Sequence, residues 1–402
     1  MKAARVVAQT VDLDERPDLV SLLPPDGYAW IHEHEGLVAW GEAERIDPGT
    51  GPGRFERAHE LLISAFERID AVSDRAPIAI GSFTFDPERE GSFLVIPKVI
   101  VETRAGRAWV TTIDAEAPDV SPRFARTQPR RDRVRYSGSS LSEIAWLDAV
   151  ARATEAIARG ELKKVVLARD VHVWSEAPFD LPAVVARLAL RFAGCFTFLA
   201  EGLVGASPEL LVERSGRRVR STVLAGSAAR GSDGAEDAAI GRALLSDPKD
   251  ADEHELAVSS VAEVLRPLSS NLDIAGPHLL KLANVQHLAT DFEGELESRL
   301  SALQIAGRLH PTAAVGGAPR EDALRFINQV EALDRSRYTG PVGWVNAEGD
   351  GEWAIALRCA ELDGTKGRLF AGSGIVQDSL PEAELEETRV KLRAMESVLG
   401  DA

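Results

Sequence analysis

Apolar positions along this chain recur with two periods, one helical and one alternating, and glycine, proline and capping residues mark where one gives way to the other. Ala58 to Val72 is helical in pattern, and Trp109 to Ile113 reads as a strand. Ala115 to Arg135 is rich in Pro and Arg with little periodicity, and reads as a connection. From Ser139 onward the pattern sharpens. Ser142 can cap a helix running through Ala158, which Gly160 ends. Lys164 to Val171 is a Val/Leu-rich strand. Phe196 to Leu199, Leu210 to Glu213 and Arg217 to Thr222 are short strands, with Ser215-Gly216 as a tight turn. Glu236 to Leu245 and Glu253 to Leu265 are helices, Leu279 to Thr290 and Trp353 to Leu362 strands, and Glu382 to Leu399 a closing helix. Strands joined by hairpins and interrupted by helices, without regular βαβ alternation, predict an α+β fold with antiparallel sheets.

Composition adds limits. The chain has 402 residues, enough for one large domain or two ordinary ones, and is 45% hydrophobic and 27% charged, as globular proteins are. Its net charge of -17 argues against nucleic acid or an anionic membrane as partner. The same charge means that an anionic substrate needs a locally positive site. No run of 18 apolar residues and no signal-like start occurs, so no membrane span is expected and the cytoplasm is the expected location. Cys195 and Cys359 stand far apart, outside any zinc or disulfide pattern.

Several polar residues interrupt apolar faces. Glu253 shares a helix face with Ala257, Val261 and Val264, where an unpaired carboxylate would be costly and a partner or a metal is required. The simpler reading is a first-turn glutamate favoured by the helix dipole, worth about 0.3–1 kcal/mol. Glu384, Glu387 and Lys391 form one stripe of the closing helix, which an exposed Glu–Lys pair would also explain. Arg358 falls on the same strand face as Ala354, Ala356 and Ala360, which leaves room for a guanidinium to hold a carboxylate. Lys164 opens an apolar strand; such a lysine either snorkels to solvent or, if desolvated, can serve as a base. Glu209 follows Ser207-Pro208, where partial burial would hold its carboxyl protonated. Ala225-Gly226-Ser227 and Ala371-Gly372-Ser373-Gly374 allow close backbone approach, or are simply tight turns.

Taken in order, KKVVLAR, GASPELL, LAGSAARG, KDADEHELAV, VQHLATDFEGEL, LHPTAAVGG, ALRCAEL and AGSGIV…PEAELEETRVKL resemble the chorismate-utilising enzymes over roughly residues 139 to 400. The resemblance implies an α+β fold with two large antiparallel sheets flanked by helices and the site between them. Residues 136–402 would be the chorismate-binding catalytic region and 1–135 a loosely matching part of the same fold. It implies Mg²⁺ on Glu253 and Glu387, holding the ring carboxylate of chorismate. Arg358, Tyr338 and the backbone at Gly372 would hold the pyruvyl carboxylate, and Lys391, Gly226, Ser227, His287 and Glu384 would complete the wall.

Within the family, Lys164 matches the water-activating lysine of isochorismate and salicylate synthases, with Glu209 as the opposing acid. Ala225 stands where amine-adding relatives carry a nucleophilic lysine. Ala314-Val315 resemble the isochorismate synthase version of their loop. An isochorismate synthase is therefore the expectation, feeding menaquinone or siderophore synthesis, with salicylate synthase or a non-catalytic chorismate-binding protein as alternatives. A monomer is favoured over an oligomer.

Overall fold

The computed structural model describes residues 6–73, 75–118 and 133–400. The antiparallel α+β architecture is as expected, and its two sheets meet in a shared strand, Phe93–Arg104. One sheet runs from that strand through Glu35–Ile46, Tyr28–His32, Phe196–Ala200, Leu203–Ser207, Cys359–Asp363 and Lys366–Ile375 to Lys164–Ser175. The other runs through Ile78–Ser82, Pro341–Asn346, Gly351–Ile355, Leu210–Ser215, Arg218–Ala229 and Val285–Leu296 to Ser269–Lys281. Trp30, Ala39 and Phe198 of the first pack with Ile80, Val342 and Ala354 of the second in one apolar core. Helices cover the outer faces, Arg54–Phe66 and Pro248–Leu265 on one side, Leu181–Arg191 and the closing helix on the other. Among the described residues no helix is long and apolar enough to cross a membrane.

Local chemistry fixes the helices that carry the site. Ser142 accepts the Ala145 N–H and starts Glu143–Ala158, and Gly160, at φ +75°, follows its end. Asp247 accepts the N–H groups of Lys249 and Asp250, and Pro248 occupies the first position, so the next helix starts at Pro248 rather than Glu253. Glu253 is therefore inside the helix, and the first-turn explanation of it falls.

Three other expectations change. The helix expected over Ala58–Val72 spans Arg54–Phe66, and Ile69–Ala71 instead forms a short strand parallel to Val6–Ala8. Leu279–Thr290 is not one strand; the chain reverses at Leu282–Val285, where the Leu282 N–H donates to the Val285 carbonyl at 2.8 Å. The strand expected over Trp353–Leu362 breaks after Ile355 and resumes at Cys359, with Arg358 left-handed at φ +48°. The strand-face argument for Arg358 therefore fails, because the residue sits in the break. Of the connection expected over Ala115–Arg135, residues 119–132 lie outside the described residues, and its end joins a short strand, Val134–Tyr136.

Candidate active site

At two places one strand of the first sheet and one of the second follow each other directly along the chain, and both of these crossings carry chemistry. Ser207–Leu210 and Ile355–Arg358 run side by side. The Ser207 hydroxyl donates to Ile355 O at 2.6 Å, Ile355 N–H to Glu209 O at 3.2 Å, and Ala206 N–H to Arg358 O at 3.2 Å. Beside them opens a small cavity. Of the site residues expected from the sequence, all but Lys164, Glu384 and Glu387 line it. A larger hollow elsewhere on the surface has the ion-paired Arg45, Glu201 and Arg368 in its lining and holds none of the site residues expected from the sequence.

Lys164 lies directly behind the wall, fully buried, with Nζ 3.0 Å from Glu253 Oε1. Glu253 and Lys164 can approach because residue 374 has no side chain. A methyl group there would overlap Glu253 Oε1 and sit 3.1 Å from Lys164 Cε. Gly374→Ala should therefore lower kcat by about 10²-fold, the scale of a displacement near 1 Å at a reacting centre. Steady-state kinetics on the folded variant check this, and parent-like turnover would rule out the tight packing.

Glu209 is 2% exposed, and burial pushes its carboxyl up to about 8. A backbone N–H bond from Leu224 and the charges of Lys164, Arg358 and Lys391 pull the other way without overcoming burial. At neutral pH this carboxyl is a proton donor facing the cavity.

Arg358 is oriented by a relay. His287 Nδ1 faces the Gly226 carbonyl at 3.3 Å, and its Nε2 lies 3.1 Å from Arg358 Nη2. An arginine only donates, so Nε2 accepts, Nδ1 carries the proton, and the ring is neutral. Burial, Arg358 and Lys391 hold the imidazole well below its usual range. Among the described residues Arg358 Nε is buried with no hydrogen-bond partner, which leaves a donor for an anionic ligand. A left-handed backbone at a non-glycine residue is the kind of strain that concentrates at binding sites. Tyr338 stacks on Phe370 at 5.0 Å and 8°, and its hydroxyl would lie 3.2 Å from a methyl placed on Gly372.

Beyond Glu253 lies a group of carboxylates. Burial acts to raise the Glu387 carboxyl, but its ion pair with Lys391 overrides this and holds it below the usual range. Lys391 also donates to Gly372 O at 2.9 Å. Glu384 is buried behind the cavity, paired with Lys249 at 2.7 Å and accepting the Ser373 hydroxyl. Sequence reasoning missed Asp250, three residues before Glu253 on the same helix face. Burial and then the charges of Glu253, Asp247 and Glu387 push its carboxyl up to about 7. The i, i+3 spacing of Asp250 and Glu253 was the available signal. Leu357 and Thr339 also line the cavity and were missed, since neither carries a charge to mark it. Among the described residues no three carboxylate, imidazole or thiol groups converge as ligands. Two carboxylates with water in the remaining positions suit magnesium, and mutual repulsion on Asp250 is what a nearby cation would relieve.

The family profile described as chorismate binding enzyme matches residues 29–400. The chain is 35% identical over 395 residues to the isochorismate synthase EntC of Escherichia coli (strain K12), covering 96% of this chain and 98% of that protein. It is similar to the crystal structure of DhbC from Bacillus anthracis. That match has a TM-score of 0.81 and 32% identity over 95% of this chain and 98% of the other. The menaquinone-specific isochorismate synthase MenF from Escherichia coli gives a TM-score of 0.83 at 25% identity, over 98% and 95%. With that coverage in both sequence and fold, the chain belongs to the chorismate-binding enzymes.

Proposed function

We infer that the chain is an isochorismate synthase, converting chorismate to isochorismate by adding water at C2 and expelling the C4 hydroxyl. The observation that carries this reading is a buried Glu209, its carboxyl pushed up to about 8 by burial, facing a cavity whose wall is backed by the fully buried Lys164. Glu209 gives its proton to the departing C4 oxygen as that C–O bond breaks. Lys164 takes a proton from the water forming the C2–O bond, while the two ring double bonds shift. Each such group contributes about 10²–10⁴-fold.

Chorismate is a dianion and the protein is strongly acidic, so the site must reverse the surrounding field locally. Arg358, with its unpartnered Nε, Tyr338 and the Gly372 backbone are assigned to the pyruvyl carboxylate. His287 keeps Arg358 aimed, and Gly226, Ser227, Ala314, Val315 and Lys391 enclose the ring. Glu253 and Glu387 would hold magnesium, which supplies positive charge for the ring carboxylate. Glu384, tied to Lys249 and Ser373, steadies the first turn of the helix that carries Glu387.

Incubation with chorismate and Mg²⁺, without ammonia, followed by chromatography, should yield isochorismate, and chelation with EDTA should abolish it. Salicylate with pyruvate would replace the reading with salicylate synthase, and no conversion would leave a chorismate-binding protein.

A further inference from the structure

The Lys164–Ser175 strand is bonded along one edge by Lys366–Ile375. Its other edge is covered at the start by Gly317–Ala318 and at the end by Val134–Tyr136. Between them two side chains take the place of a strand. Arg335 Nη2 donates to Val166 O at 2.8 Å, and Glu331 Oε2 accepts the Ala168 N–H at 2.9 Å. The two are joined to each other by Nε to Oε1 at 2.6 Å and Nη2 to Oε2 at 2.7 Å. Their side chains are 3% and 2% exposed. Arg335 Nη1 donates to Val315 O at 3.0 Å and to Thr339 Oγ1 at 3.5 Å, and the guanidinium lies 4.2 Å over the Phe85 ring.

A guanidinium has five N–H donors in one rigid plane, and here each has an acceptor. Buried ion pairs add little net stability over apolar residues of the same size. What a fixed, fully used fork supplies is geometry. Val166, Val315 and Thr339 come from three separate segments, and all three line the cavity, whereas Arg335 does not. Val166 is two residues from Lys164, Val315 is the apolar wall, and Thr339 follows Tyr338.

We propose that Arg335, locked by Glu331, is a positioning residue that sets the spacing of these three walls around the substrate ring. Its choice of substrate rests on the isochorismate synthase reading; the clamp itself rests on the contacts alone. Arg335→Lys keeps the charge that balances Glu331 but cannot reach three walls from one plane. Glu331→Asp keeps the charge and draws the guanidinium back from them. The carboxylate-holding Arg358 is untouched by either change.

The test uses the full chain and both variants, normalised to folded protein. With chorismate and Mg²⁺, kcat should fall at least tenfold in each variant, with KM within threefold of the parent. Amide exchange of peptides covering 164–170 and 311–317 should accelerate at least tenfold together, while that of the Glu143–Ala158 helix is unchanged. A kcat per folded molecule within twofold of the parent in both variants, or a loss carried wholly by KM, overturns the positioning role. Should the parent itself make no isochorismate, the functional reading fails, and the exchange experiment still decides the clamp. Independent acceleration of the two segments, or none, overturns it.

Discussion

Lys164→Ala is expected to slow isochorismate formation at saturating chorismate by roughly 10²–10⁴-fold. The lysine is fully buried and paired with Glu253, and alanine offers no proton acceptor. Stability should fall too, because Glu253 loses its partner while remaining 13% exposed. Breaking a buried pair costs about 3–5 kcal/mol, and the residual exposure of Glu253 puts this one toward the lower end. The two effects separate in the double variant Lys164→Ala/Glu253→Gln, which should recover thermal stability and no turnover. Thermal unfolding and product chromatography on the same samples check both, and turnover within tenfold of the parent would remove Lys164 from the chemistry.

Glu209→Gln should move activity and stability in opposite directions. Turnover should drop on the same 10²–10⁴ scale, since an amide cannot deliver a proton to the leaving oxygen. In the parent, the alkaline limb of kcat should fall near pH 8, where burial has placed the Glu209 carboxyl. In the unfolded chain this carboxyl titrates near 4.5, so between those two values the folded state binds the extra proton. Stability from this group is therefore complete below about pH 4.5 and is lost as pH rises through 8, amounting to roughly 5 kcal/mol across the window. Glutamine stays neutral throughout. The variant should thus be more stable than the parent at pH 8 and flatter in its pH dependence. Denaturant melts at several pH values read this out; a parent-like slope in the variant would place the Glu209 carboxyl in water instead.

The elements that carry these groups were largely legible from local chemistry. Ser142 with Gly160, the apolar run after Lys164 and the stripes of the closing helix each declared themselves by spacing. Expectation failed where tertiary structure overrides a continuous pattern. Trp353 to Leu362 alternates through a break that only the crossing at Arg358 requires, and Leu279 to Thr290 stays apolar through a reversal marked by little more than Asn284. Charge pairing was the other gap. Lys164 with Glu253, Lys249 with Glu384, and Arg335 with the carbonyls of Val166 and Val315 join segments remote in sequence. No periodicity within one element reports on such pairs; the family resemblance supplied the site roles, and only the fold supplied the distances.

The paired crossings at Ser207–Leu210 and Ile355–Arg358 also constrain how such a site can diverge. Each crossing is flanked by paired strands whose side chains alternate between faces, so one inserted or deleted residue, unless taken up by a bulge such as the one at Leu210/Val212, would turn a strand inside out. Glu209 and Arg358 thus sit on a frame of fixed length, unlike catalytic groups on surface loops, which tolerate insertion. New chemistry on this scaffold has to arise by exchanging side chains at walls such as Ala225, Ala314 and Val315, with the ruler between acid and arginine left uncut.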